Sequence, residues 1–131
     1  MQQLIELFNT AVGHCHEGRV PEAESLCRTL LKRFSNPHPE VQHLLGAVLS
    51  RQGQYAEAIE WLGLAVSRRP KQAVYHFDLA GALRAVGYWS EAVSAYRTAV
   101  RLRLLMEAAY RAMWHRYLGG LASAPTPPER R

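Results

Sequence analysis

The chain has 131 residues, 48% of them hydrophobic, and a formal net charge of +5. That length supports one domain with a continuous core and leaves no room for a second. Charge interrupts the long apolar stretches, the opening MQQLIELFNTAV lacks a basic start and a cleavage site, and two cysteines make no disulfide framework, so membrane-spanning and secreted disulfide-rich classes are excluded and a soluble cytoplasmic protein is expected.

Taken in chain order, the predicted elements repeat. Gly18, Gly53 and Gly87 are each followed five residues later by an alanine, Ala23, Ala58 and Ala92, at intervals of 35 and then 34 residues. Glu22, Glu57 and Glu91 precede those alanines, and Leu30, Ala65 and Ala99 fall seven residues after them. Upstream of each glycine lies a stretch with apolar residues three or four apart, such as Leu45, Val48 and Leu49, or Leu79, Ala82, Leu83 and Val86. Each unit therefore reads as two amphipathic helices joined near a glycine. A unit of this size cannot bury its apolar face alone, and stacking on its neighbours does so. The units span residues 4–38, 39–72 and 73–106.

A further helix is predicted over 106–118, with Met106, Tyr110, Met113, Trp114 and Tyr117 three or four apart and Gly119 and Gly120 ending it. The last stretch, LASAPTPPERR, is short and proline-rich, so 119–131 is expected to be a disordered tail after a domain of residues 1–118.

The period and the small residues resemble the tetratricopeptide repeat, whose consensus has a small residue at position 8, glycine near 15, alanine at 20, a small residue at 27 and often proline at 32. The unit from Pro39 to Gln72 fits best, with Leu45, Gly46, Gly53, Tyr55, Ala58, Ala65 and Pro70. The unit from Ala73 to Met106 supplies Leu79, Ala80, Gly87, Ala92, Tyr96 and Ala99, with Leu104 in place of the proline. The first unit has Ala11, Gly18 and Ala23, but Leu30 at the second small position and one extra residue before its prolines. The resemblance implies an all-α, right-handed α-solenoid of three helix-turn-helix repeats, about seven helices in all. Ala11 is expected to meet Ala23, Gly46 to meet Ala58 and Ala80 to meet Ala92, because only small side chains let paired helices approach closely. Tyr55, Trp89, Cys27, Leu62 and Tyr96 are expected to fill the remaining holes. Residues 106–118 resemble the first helix of a fourth repeat. Trp114 stands where a small residue would admit a second helix, so a capping role is expected, the alternative being self-association through Trp114 and Tyr117.

Charge is unevenly placed: residues 1–60 sum to −2 and residues 61–131 to +7. Arginine outnumbers lysine fourteen to two, which favours bidentate pairing with carboxylates. Cys27 is displaced by about four residues, roughly 6 Å, from the point facing Cys15 across the hairpin, so no bridge is expected. His14 and His16 point about 200° apart on a helix and cannot share a metal. His14 is expected at a buried position. No nucleophile, histidine and carboxylate set can be assembled from spacing, and no phosphate loop is present, so neither catalysis nor a cofactor is expected.

In tetratricopeptide proteins the first helices line a concave groove, so the resemblance assigns groove positions. Phe8, His43, Phe77 and Arg111 share one of them. Val12, Ala47, Gly81 and His115 share another, small enough to let a ligand approach the helices. His16, Arg51 and Arg84 border the groove. An apolar floor with an arginine rim suits a peptide carrying hydrophobic side chains and a carboxylate. The expected function is therefore a non-enzymatic protein-interaction module, an adaptor, assembly factor or small chaperone. Two alternatives stand beside it. One is nucleic-acid binding through Arg68, Arg69, Lys71, Arg97, Arg101 and Arg103, without the free aromatic residues that stack bases. The other is a detached repeat domain or subunit of a glycosyl- or sulfotransferase system.

Overall fold

The computed structural model describes residues 2–34 and 38–118, with side chains for all of these except Tyr110 and residues 113–118. The described residues form helices and turns without a strand: α1 (Gln2–His16), α2 (Val20–Arg33), α3 (Pro39–Arg51), α4 (Tyr55–Arg68), α5 (Ala73–Ala85) and α6 (Trp89–Leu118). Each helix packs on the next. In addition α1 lies against α3 and α3 against α5, whereas the backbones of α2, α4 and α6 stay farther apart among the described residues. The array is thus curved, with α1, α3 and α5 at the smaller radius on its inner side. None of the described helices is long and apolar enough to cross a membrane.

Local chemistry sets the ends of the helices. Pro21 and Pro39 sit in the first turns of α2 and α3, where the missing N–H costs no hydrogen bond. The recurrent glycines end the inner helices in the left-handed region, with φ of 82° at Gly18, 80° at Gly53 and 87° at Gly87. Each turn carries the same two bonds: Gly53 N–H donates to Ser50 O at 3.0 Å and Gln54 N–H to Leu49 O at 2.9 Å, with equivalent pairs at Gly18 and Gly87. This is the Schellman ending, which satisfies the last carbonyls of a helix and requires a residue free of Cβ strain.

The core follows the small-residue register. Ala11, Ala23, Ala58 and Ala80 are fully buried and Ala92 nearly so. A Cβ on Gly46 would lie 2.6 Å from Leu62 Cγ and 3.3 Å from the Ala58 carbonyl oxygen, so α3 and α4 meet there at a distance only glycine permits. Leu30, Leu45, Val48, Leu49, Leu62 and Cys27 supply the bulk. Tyr55 packs against this core, and Tyr96 is partly buried.

Two expectations are corrected. Six helices, not seven, occur among the described residues, because the segment from Met106 continues α6. Helix α6 has 30 residues against 14 in α2 and in α4, giving a rod of about 45 Å. The reason is local: neither glycine nor proline stands between Trp89 and Leu118, Leu104 replaces the helix-ending proline, and RLRLLMEAAYRAM is rich in strong helix formers. Trp89, expected in a core hole, is 64% exposed; α5 packs on the far side of α4, whereas no further helix is described beyond α6. The tail 119–131 and the side chains of Trp114, His115 and Tyr117 lie outside the described residues.

Candidate functional site

The inner face is built by α1, α3 and α5, and its three parts differ in how their polar groups are engaged. At the α1 end, Phe8 is half-buried against the core and Val12 is half-buried beside it in the sequence register, while His16 is exposed in the last turn. Arg51, in the last turn of α3, reaches back to α1. Its Nη1 donates to the Cys15 carbonyl at 2.9 Å and lies 3.1 Å from Cys15 Sγ. The guanidinium thus closes the seam between the first two units.

Behind that seam Cys27 is buried, and burial, with Cys15 adding to it, pushes its thiol up to about 12. Such a thiol stays neutral and unreactive. Both cysteines are free thiols. His14 is only partly buried, not buried as expected, and its Nδ1 has no hydrogen-bond partner. Among the described residues no three potential metal ligands come together.

In the middle, His43 Nε2 donates to Asp78 Oδ2 at 2.5 Å, tying α3 to α5, and its ring stacks on Tyr75 at 4.5 Å and 24°. Burial holds the Tyr75 phenol above its usual range, and Glu40 adds to the effect. Glu40 in turn pairs with Arg69 at 2.5 Å. Ala47 is half-buried one turn beyond His43. His43 is therefore a structural link between repeats, a role the sequence reading missed. The available signal was the 35-residue separation of His43 and Asp78, one residue more than the 34-residue period between their units.

The α5 end is the open part. Phe77 is 57% exposed, with its ring edge-to-face on Tyr96 at 5.5 Å and 68°. Four residues on, a Cβ on Gly81 would meet nothing closer than the Tyr96 hydroxyl oxygen at 3.9 Å, and three further on Arg84 is exposed in the last turn. That i, i+4, i+7 spacing puts Phe77, Gly81 and Arg84 on one face. Arg111, expected in series with Phe8, His43 and Phe77, lies instead on the continuation of α6 and is exposed there. The structure does not bring it to the inner helices.

On the outer helices Arg28 joins the first and second units, donating from Nε to Glu24 and from Nη2 to Glu57, both at 2.8 Å. Trp61 Nε1–H donates to the same Glu57 oxygen at 3.2 Å. These bonds hold the Glu57 carboxyl below its usual range, Arg28 being the larger cause, and raise the Arg28 guanidinium. Of the basic helix ends, Arg69 is engaged by Glu40 and Arg103 lies 3.6 Å from Glu107. Arg69, Pro70, Lys71 and Gln72 line a shallow depression at the α4–α5 turn, away from the inner-face residues.

Compared with known proteins, residues 15–85 match a tetratricopeptide repeat family, and residues 76–110 match a second tetratricopeptide repeat pattern. No curated protein matches. Among solved structures, PcrH in complex with the chaperone binding region of PopB is similar at a TM-score of 0.73 and 18% identity, over 78% of this chain and 82% of that one. The Sgt2 tetratricopeptide domain from Aspergillus fumigatus is similar at 0.72 and 17% identity, over 100% of this chain and 92% of that one. An O-GlcNAc transferase mutant from Thermobaculum terrenum is similar at 0.74 and 26% identity, over 93% of this chain but 23% of the transferase.

Proposed function

The chain belongs to the tetratricopeptide repeat family, and on that footing we propose that it is a non-enzymatic protein-interaction module that holds a partner peptide against its inner face. The observation that carries the reading is the exposed Phe77 beside Gly81 and Arg84. A large aromatic ring held by Tyr96, a neighbouring position with no side chain, and a cation one turn on form an apolar anchor site with a charged edge. A segment offering one hydrophobic side chain and one carboxylate fits that chemistry. Phe8 and Val12 extend the apolar floor, His16 and Arg51 border its far end, and His43 with Ala47 forms the middle. PcrH, of the same fold, is solved in complex with a segment of another protein. An adaptor, assembly factor or small chaperone working in the cytoplasm is the biological form this reading takes.

The test is affinity capture from lysate with wild type and a Phe77→Ala, Arg84→Glu double variant whose helicity is checked by circular dichroism. Both residues are exposed, so the fold is expected to survive. Loss of one specific protein from the variant alone supports the groove, and unchanged capture sinks it.

A second reading is favoured by the likeness to the repeat segment of the transferase. On it, the chain is the detached repeat portion of a sugar-transferring system and presents that enzyme's protein substrate. Co-purification with a catalytic subunit, rather than with a peptide-bearing client, distinguishes the two.

A further inference from the structure

Tyr96 belongs to an outer helix, yet its hydroxyl comes up beside an inner one. The side chain starts on α6 and its ring packs edge-to-face on Phe77 of α5. Its hydroxyl oxygen is the nearest atom, at 3.9 Å, to the point a Cβ on Gly81 would occupy. A side chain at position 81 would fill the space beside this hydroxyl, and glycine leaves that space open. Among the described residues the Tyr96 hydroxyl has no hydrogen-bond partner and Arg84 pairs with no carboxylate. The floor next to these two polar groups is apolar, with Val74 and Phe77 51% and 57% exposed. At 100° per residue Val74, Phe77, Gly81 and Arg84 fall within about 80° of one another around α5.

Resting on the peptide-binding role proposed for this face, we infer that Tyr96 is one of its binding residues and that the partner is an extended segment of polyproline II form, carrying an apolar side chain and a carboxylate three positions apart.

A length and a hydrogen bond select that form. Phe77 and Arg84 lie seven residues apart, about 10 Å along α5. Three residues of polyproline II advance about 9 Å and complete one turn, so side chains i and i+3 share a face at nearly that spacing. A β-strand turns i and i+3 to opposite faces, and a helix reaches the spacing only at i+7. The Tyr96 O–H then separates the extended form from the helix. Polyproline II carbonyls carry no internal bond, whereas each carbonyl inside a helix already accepts an N–H and is held back by the side chains around it. The open space at Gly81 lets a peptide backbone come close enough for Tyr96 to donate to one of its carbonyls. On one side of that bond Val74 and Phe77 receive the apolar side chain, and on the other Arg84 receives the carboxylate. A segment that is already extended loses little freedom on docking to such a ring-lined surface.

The probes are fluorescein-labelled, C-terminally amidated peptides in which Leu and Glu are separated by one, two or three prolines, read by fluorescence anisotropy against the full chain. Binding is expected to be tightest with two prolines and to weaken about tenfold when the Glu is replaced by Gln. Tyr96→Phe keeps the ring and removes only the hydroxyl, so it is expected to weaken the two-proline probe about fivefold. A methyl group from Gly81→Ala meets no atom closer than 3.9 Å and favours the helix, so this variant is expected to melt at a higher temperature than wild type while binding the probe more weakly than Tyr96→Phe does. Weakened binding in a more stable protein separates a role in recognition from a role in folding. The inference is overturned by a wild type that ignores every probe, by an optimum at one or three prolines, by tighter binding of an alanine-based helical peptide with Leu and Glu seven apart, or by Tyr96→Phe and Gly81→Ala variants that bind as wild type does. The broader peptide-binding role falls separately, on capture unchanged by Phe77→Ala with Arg84→Glu.

Discussion

The second and third units use the same register with opposite results. Tyr55, Ile59, Leu62 and Val66 on α4 are buried or partly buried, whereas Trp89, Val93 and Val100 on α6 are exposed and, of this set, only Tyr96 is partly covered. The residue types are equally apolar, so the difference lies in the neighbour: α4 has α5 against it and α6 has nothing described beyond it. In a stacked array, burial belongs to the interface between units more than to the unit itself.

The comparison breaks first at Leu62, which is fully buried. Leu62→Ala is expected to destabilise the fold by about 2–5 kcal/mol, by transfer and cavity terms together. Val100→Ala, at a site 59% exposed, is expected to change stability by less than about 0.5 kcal/mol. Denaturant melts of both variants check the pair. Equal losses would mean that the α6 side chains are covered.

A second, smaller effect sharpens the contrast at the helix crossing. The second unit has Gly46 where the third has Ala80, and with only 2.6 Å between a Cβ at position 46 and Leu62 Cγ there is no space for a methyl group. Gly46→Ala is expected to cost about 1–3 kcal/mol through overpacking. Combined with Leu62→Ala it should cost less than the two separately, because the smaller side chain vacates the space the new methyl needs. Strict additivity in thermal or denaturant unfolding would contradict this crossing.

How much of this was legible in the sequence divides along the same line. The Gly53 turn and the Gly46–Ala58 approach were readable because each depends on a residue type that little else replaces. The α6 rod was not, since the family pattern implied a turn near Leu104 while the local composition held no breaker, and local propensity prevailed. Trp89 was misjudged for the reason already given: its register was right and its neighbour was missing. At the candidate site, Phe77, Gly81 and Arg84 were expected together from the groove positions that the family resemblance implied, and their i, i+4, i+7 spacing on α5 agrees with that. Arg111 was not, because its placement depended on the seventh helix. The His43–Asp78 and Arg51–Cys15 links escaped because they join residues one period or more apart, 35 and 36 positions, and the stagger between adjacent units is not written in either segment.

The smallest difference between the units is electrostatic. Glu57 receives Arg28 from the unit before it. One period on, Glu91 takes the place of Glu57 and Gly63 the place of Arg28, so the preceding unit offers no cation there. The Glu57 carboxyl is held below its usual range in the folded chain, chiefly by Arg28. Its contribution is therefore fully present above the unfolded carboxylate value of about 4.3 and is lost as pH falls through the lower folded value. Because the Arg28 and Glu57 side chains are 37% and 38% exposed, solvent screening limits the pair to about 0.2–1 kcal/mol. An Arg28→Ala, Glu57→Gln double-mutant cycle should show that coupling at pH 7 and lose it towards pH 3, with salt reducing it further. A coupling that persists unchanged in acid would assign the seam between the first two units to packing around Trp61 instead of to charge.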